Sequence, residues 1–426
     1  MYIYICNVNK NQISMNKLFS ILSIATMLVA VTSCSDEPGG PKTDSETEYL
    51  SSLDLNTSEL QAVEGNNDFA WDFFAHNVRL SDTKNVAVSP LSMTIALTMT
   101  ANATYEGSKA RESILSTLGY GNLDFADVNS CTMKLVDGIG RLDKDVKLKL
   151  ANSLWYDPTA LTLNPAYVEL LQKNFAAESN RICPETFVKD VNSWCNDKTD
   201  GMIDSFLPEN MDPPVMALLN AIYFKGMWGK GYKFDKNMTV KDKFYNSDGM
   251  QSYASFMTQE TILDYARNEA AEVVTLPFGS GKYNFHLVRP IVDGDIEGCM
   301  QTFLNGGWSS LKNLGYVKFD LRLPKFDVKY HIDDLKDLLA EMGMEYAMKN
   351  TDYYFAYAAG MEISKVIHEV HMQIDEEGAE AAGSSAVIMN PTVVPSAPFH
   401  LDHPFIYLLT EKESGAIIFI GCIRNL

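Results

Sequence analysis

Hydrophobic positions recur along this chain at two spacings, one helical and one strand-like. In NNDFAWDFFAHNVRL, Phe69, Phe73 and Phe74 fall at i, i+4 and i+5. That spacing puts all three on one face of an amphipathic helix, with Asn66 or Asn67 able to cap it. Phe187, Val188, Val191 and Trp194 repeat the 3–4 spacing and predict another such helix. Ser89-Pro90 marks a helix start, because a hydroxyl can cap the first N–H groups and proline at the first position has no N–H to lose. The LSMTIALTMTANA that follows is apolar nearly all round, so its helix should be buried.

Elsewhere the period is two. DVKLKLANSLWY sets Val146, Leu148 and Leu150 against Lys147 and Lys149, a strand with one wet face. YVKFDLRLPKF does the same with Val317, Phe319, Leu321 and Leu323. MALLNAIYFKGMW has no wet face, which fits a central strand covered on both sides. FIYLLT and AIIFIGCI flank EKESG and predict a C-terminal hairpin. Helices and strands come in mixed order without a regular βαβ rhythm, so the class is α+β. One stretch obeys neither period: EEGAEAAGSSAV, Glu376 to Val387, offers only acid and small residues where its neighbours are β-branched and aromatic.

The N-terminus changes the domain picture. From Met15, which reads as the true start, MNKLFSILSIATMLVAVTSC has a basic Lys17, an apolar run from Leu18 to Val31, and small residues before Cys34. The run is short for a membrane span, and residues 1–33 resemble a bacterial lipoprotein signal that leaves Cys34 as the lipidated first residue. The polar, acidic SDEPGGPKTDSETEY that follows cannot form a core and reads as a flexible tether over 34–52. The working domain is expected over 53–426. Ser35, Asp36 and Glu37 are similar to surface-export tags, so the chain is expected as an exported lipoprotein of a Gram-negative-type envelope, in the outer membrane and surface-exposed.

Of the 426 residues, 46% are hydrophobic and 21% charged, an ordinary globular balance. Removing 1–33 takes Lys10 and Lys17 but no acid from 35 bases and 55 acids, leaving a net charge of −22. Such a chain repels nucleic acid and anionic membrane surfaces. Beyond Cys34 the cysteines are Cys131, Cys183, Cys195, Cys299 and Cys422, an odd number at wide spacings without a CxxC. They support neither a disulfide framework nor a zinc site, and read as buried small residues with at most one bridge.

No constellation for catalysis is legible. GxSxG and HExxH are missing, and Gly281-Lys282 lacks the rest of a phosphate loop. His368/His371 and His400/His403 are spaced i, i+3 in strand-like contexts, where they point to opposite faces and cannot share a metal. No cofactor, metal or enzymatic activity is expected.

From about residue 66 onward the chain resembles a serpin. NVAVSPLSMTIAL, LKLANSLW, VNSWCNDKTDGMI, LLNAIYFKGMW, LPKF and HPFIYLL with GAIIFIGCI stand in that family's order, and EEGAEAAGSSA resembles its hinge. Departures are Met202-Ile203 after Gly201, HLVRP at 286–290 and AMKNTDYYFAYAAG. The resemblance implies three β-sheets with about nine helices, a monomer, and an exposed reactive-centre loop at about 376–400. It further implies an inhibitor of serine endopeptidases. The protease attacks the loop as a substrate and is trapped as an acyl complex when the hinge inserts into the main sheet. Loop insertion by serpins is a known example of strand addition and switching. The alternative is a non-inhibitory serpin-fold binding protein at the cell surface.

Residues of the implied mechanism follow. The hinge comprises Glu376, Glu377, Gly378, Ala379, Glu380, Ala381, Ala382, Gly383, Ser384 and Ser385. The family's pattern turns Ala379, Ala381, Gly383 and Ser385 inward, small enough to thread between packed layers, and leaves Glu380, Ala382 and Ser384 facing away. Counting on from Glu376 as the family does lands on Thr392. Proline after a scissile bond is poorly accepted, which disfavours Asn390–Pro391 and Val394–Pro395 and leaves Thr392–Val393 and Val393–Val394, with Met389 as a secondary bait. These β-branched residues suit an elastase-like protease, and no Lys or Arg lies between Glu376 and Pro404 to attract a trypsin-like one. Ser89, Ser92, Asn220 and His368 match a buried polar cluster where strands must part. Trp228, Lys325 and Glu376 match the upper opening, with a Lys325–Glu376 ion pair expected.

Overall fold

The computed structural model describes residues 48–82, 84–203, 206–349, 363, 365–378 and 396–426. The expected signal, Cys34 and most of the tether lie outside them. So do Ala379 to Ser385, Met389, Thr392, Val393 and Val394. The compact body begins at Tyr49, upstream of the expected Leu53. Leu50 donates its N–H to Arg141 O at 2.8 Å and packs on the core, so residues 49–52 belong to the body and not to the tether.

In chain order the body opens with α1 (Thr57–Leu80), β1 (Val86–Val88), α2 (Pro90–Ala103), α3 (Lys109–Thr117), α4 (Phe125–Gly138) and β2 (Val146–Tyr156). Then come α5 (Pro165–Phe175), β3 (Glu178–Arg181), α6 (Phe187–Lys198) and β4 (Met216–Gly226). Four strands follow: β5 (Val240–Tyr245), β6 (Gln251–Arg267), β7 (Ala271–Phe278) and β8 (Tyr283–Pro290). Next are α7 (Ile296–Gly306), β9 (Lys312–Pro324), β10 (Phe326–Ile332), α8 (Lys336–Leu339) and α9 (Glu345–Lys349). The last strands are β11 (His368–Ile374), β12 (Ala397–His400), β13 (Phe405–Glu411) and β14 (Ile417–Ile423).

Among the described residues the strands form three sheets, as expected of the α+β fold. The largest runs β1-β14-β13-β8-β7-β6-β9-β12, with β5 paired to β6; the others are β3-β2-β4 and β10-β11. The predicted hairpin is β13–β14, antiparallel from Phe405↔Ile423 onward.

Local chemistry explains the helix boundaries, with one correction. α1 starts upstream of Asn66 and Asn67, which sit inside it. Its cap is Asn56, whose side chain accepts the Glu59 N–H at 3.0 Å while the Glu59 carboxylate accepts the Asn56 N–H at 2.7 Å. This reciprocal box satisfies two orphan donors and outcompetes a later start. Asn67 instead ties down the C-terminal hairpin, donating to Gly415 O and accepting from Ile417 N–H, both at 3.0 Å. α2 begins as expected, with Ser89 capping at Ser92 N–H and Pro90 first inside.

α2 packs against both β4 and β14, so it lies between the small and large sheets. The main core gathers Phe69, Phe73, Ile95, Leu408 and Ile420 around it, and each fully buried Phe or Leu contributes about 1.5–3 kcal/mol. A second cluster of Trp155, Phe187, Val191, Trp194 and Leu219 fixes α6 over β2 and β4. Both faces of β4 are therefore covered, as its largely apolar run predicts. Its place is different: β4 ends the β3-β2-β4 ladder and makes no ladder with β11. A strand with the composition of a sheet centre thus stands beside, and unjoined to, the strand that would complete it.

Candidate functional site: a divided sheet and its hinge

β4 and β11 lie side by side. Both run in the same direction, because their starts share one cluster and their ends another. At the lower end, His368 Nε2 accepts the Ser89 N–H at 3.0 Å, and the Ser89 hydroxyl donates to Ile418 O at 2.8 Å. The Ser92 hydroxyl donates to Asn220 Oδ1. Asn220 Nδ2 then reaches Asn152 Oδ1 at 2.6 Å, and Asn152 Nδ2 reaches Phe175 O at 2.7 Å. The four residues expected as a polar cluster are together, and Asn152, which the sequence reading did not single out, extends it across β2. β11 and β4 thus communicate through the N-terminus of α2 without a direct ladder.

His368 is fully enclosed, with its ring edge-on to Phe73 at 5.8 Å. Burial, helped by the nearby His331, pushes its pKa down to about 3. The neutral ring is the form that the Ser89 N–H requires, since a donor can bond only to an unprotonated nitrogen. His371 faces the other side of β11 and pairs with Asp327 at 2.7 Å, so the two histidines diverge as the strand period requires. Among the described residues no group of three His, Cys, Asp or Glu could hold a metal. Cys131, Cys195, Cys299 and Cys422 are free and buried, each with burial pushing the thiol up to about 12; Cys183 is only half-buried.

Below this cluster, beside the start of β4 and the segment leading into β11, lies a cavity of about 720 Å³, whose walls include Met93, Leu97, Leu218, Asn220, Ile367 and His368. The turn Asp375–Gly378 stands at the other end of the two strands, past Ile374 of β11 and beside Met227. Gly378 makes antiparallel bridges to both Met227 and Asp375. The Trp228 N–H donates to Glu377 O at 3.0 Å, Trp228 Nε1 to Asp375 O at 2.9 Å, and the Phe234 N–H to Glu376 O at 3.2 Å. Gly378 has φ +128°, and a Cβ there would sit 2.2 Å from Gly226 O, so only glycine fits.

Trp228, Lys325 and Glu376 are brought together as expected. Lys325 Nζ lies 2.8 Å from Glu376 Oε2, and the Thr239 hydroxyl donates to Oε1 at 2.7 Å. Burial alone would raise this carboxyl; the bonds from Lys325 and Thr239 overcome it and hold the pKa below the usual carboxylate value. The acids that open the hinge are not solvated, contrary to the impression of a segment with little to bury. Glu376 is 4% exposed and Glu377 9%. Thr239, Phe234, and Lys233 and Lys236, which pair with Glu377, leave little sequence signal, because each is more than a hundred residues away with no local pattern. The one available hint is the lysine-rich run from Lys230 to Lys236 just past Trp228.

The family model described as Serpin (serine protease inhibitor) matches residues 64–426. Serpin B3 of Homo sapiens is 29% identical over 387 residues, covering 84% of this chain and 97% of its own. Two solved structures share the fold. The thermophilic serpin tengpin in its native state has TM-score 0.76 at 24% identity, over 89% of this chain and 97% of that one. Human thyroxine-binding globulin complexed with its ligand has TM-score 0.76 at 21%, over 87% and 99%. The chain belongs to the serpin family.

Proposed function

We propose that this serpin inhibits serine endopeptidases of the elastase-like class as a suicide substrate. The protease serine attacks the Thr392 or Val393 carbonyl and the downstream amine leaves. The hinge then enters between β4 and β11 before water can hydrolyse the acyl bond. The protein acts as bait and trap, and the catalysis is the protease's own.

One observation carries this reading: Gly378 already bridges both flanks of the unjoined strands, antiparallel to each. A strand continuing from it pairs on both sides, with each hydrogen bond worth about 1 kcal/mol net, against the entropy of ordering the chain. The glycine, alanine and serine residues after Gly378 are small enough to pass between α2 and α6. Mixing the protein with pancreatic elastase tests it. A complex that survives denaturing electrophoresis is expected; clean loop cleavage with undiminished protease activity sinks the reading.

A second reading, a non-inhibitory serpin-fold binding protein at the cell surface, draws on the 720 Å³ cavity beside β4. In that case a small ligand occupies the space and cleavage leaves the protease active. In either case we propose a lipid anchor at Cys34 on the outer membrane of a Gram-negative-type envelope. Incorporation of labelled fatty acid by the wild type, lost in Cys34→Ala, is the expected outcome; equal labelling of both sinks the anchor.

A further inference from the structure

A second group of charges holds the hinge turn. Glu377, its side chain 11% exposed, pairs with Lys233, and with Lys236 at 3.1 Å. Both lysines sit on the segment that continues from β4 through Trp228, whereas Lys325 sits between β9 and β10 on the β11 side. Neighbouring carboxylates are therefore gripped by cations from opposite flanks of the divided sheet. The Glu377 carbonyl accepts from the Trp228 N–H, and the next residue, Gly378, bridges to Met227.

We propose that Lys233 and Lys236 are positioning residues for loop insertion, fixing Glu377 so that Gly378 stays on its first rung beside Met227. This rests on the inhibitory reading. Trapping is a race between insertion and hydrolysis of the acyl bond. A hinge already on its first rung extends at once, whereas a detached hinge must find its register before it can propagate. The turn then acts as the fixed end of a zipper. Its lysines are partly exposed, 25% for Lys233 and 64% for Lys236, so salt should weaken their grip.

The test compares wild type, the double variant Lys233→Met with Lys236→Met, and the conservative double variant Lys233→Arg with Lys236→Arg. The readout is the number of inhibitor molecules consumed per elastase trapped. The methionine variant should consume about two- to fivefold more, the range expected when partly exposed ion pairs such as these two are lost. The rate of loop cleavage should stay within about twofold, because bait presentation does not use the clamp. The arginine variant should match wild type. Raising NaCl from about 0.05 M to about 1 M should move wild type toward the methionine variant and leave the latter flat. Equal consumption by wild type and methionine variant overturns the proposal, as does an equal response to salt. If wild type traps no protease, the inhibitory reading falls. The clamp is then read from the tryptophan emission change after subtilisin clips the loop: a slower change in the methionine variant supports it, and identical rates overturn it.

Discussion

The main-chain N–H of Ser89 donates to Nε2 of His368 across 3.0 Å, which fixes that ring as neutral with its proton on Nδ1. The bond joins the first strand residue of β11 to the cap of α2. Ser92 continues the same path to Asn220 on β4. The two halves of the divided sheet are held at this end by neutral hydrogen bonds that a proton can break.

Acid should therefore loosen the native form through His368. The unfolded chain takes up a proton near pH 6.5 that the folded ring refuses until about 3. This contribution is complete above pH 6.5 and is lost as pH falls, by about 3 kcal/mol down to pH 4.5. His286, buried between Thr275 and Thr410 and pushed down to about 4, adds a loss of the same sign. Paired carboxylates such as Glu376 act in the same direction but at lower pH. His368→Gln isolates the ring, since an amide oxygen can still accept the Ser89 N–H. Urea unfolding at pH 7 and pH 4.5 should show a smaller acid loss in the variant, and equal losses would contradict the assignment.

Lys325→Ala strands the Glu376 carboxylate, whose side chain is 6% exposed, with Thr239 as its remaining side-chain donor. The native form should lose about 1–3 kcal/mol. Exchanging the charges, Glu376→Lys with Lys325→Glu, should recover part of it. A double-mutant cycle by thermal unfolding checks this, and additive losses would show that the pair contributes no coupling.

Gly378→Ala places a Cβ 2.2 Å from Gly226 O at a φ of +128°. The turn must open or the backbone must shift, at a cost of about 2 kcal/mol or more. Denaturant unfolding should reveal that loss. A fully stable variant would mean that the Met227 bridge is dispensable.

Hinge variants test threading itself. Ala381→Pro removes an N–H from a strand expected to bond on both sides, and Ala379→Arg places a long charged chain at an inward position. Each should leave loop cleavage fast and abolish the protease complex. A complex formed at the wild-type level by either would weigh heavily against insertion.

How much of this was legible depended on how far apart the cooperating residues lie. Ser89-Pro90, the Phe187 to Trp194 face and the hairpin around EKESG act within a few residues, and the structure reproduces them. The Phe-rich face alone points to a later start for α1, because the reciprocal bonds of Asn56 and Glu59 that set the true boundary lie ahead of it. The parallel pairing of β12 with β9 left no periodic signal, since Ala397 to His400 is only four residues long. β4 gave the more instructive mismatch. Its apolar run correctly reported burial on both faces, but burial does not say whether a neighbour is hydrogen-bonded at the edge. Asn220, one polar residue within that run, was the local trace of the cluster. Lys233 and Lys236 had none, because their partner Glu377 is brought to them only by the fold.

Thermal unfolding before and after a single cut at Thr392–Val393 tests the central claim most directly. If the segment beyond Gly378 becomes a strand between β4 and β11, the clipped protein should melt about 10 °C or more above the intact one, because roughly a dozen residues gain hydrogen bonds on two sides. A clipped protein that melts at the same temperature as the intact one, or below it, would contradict the account.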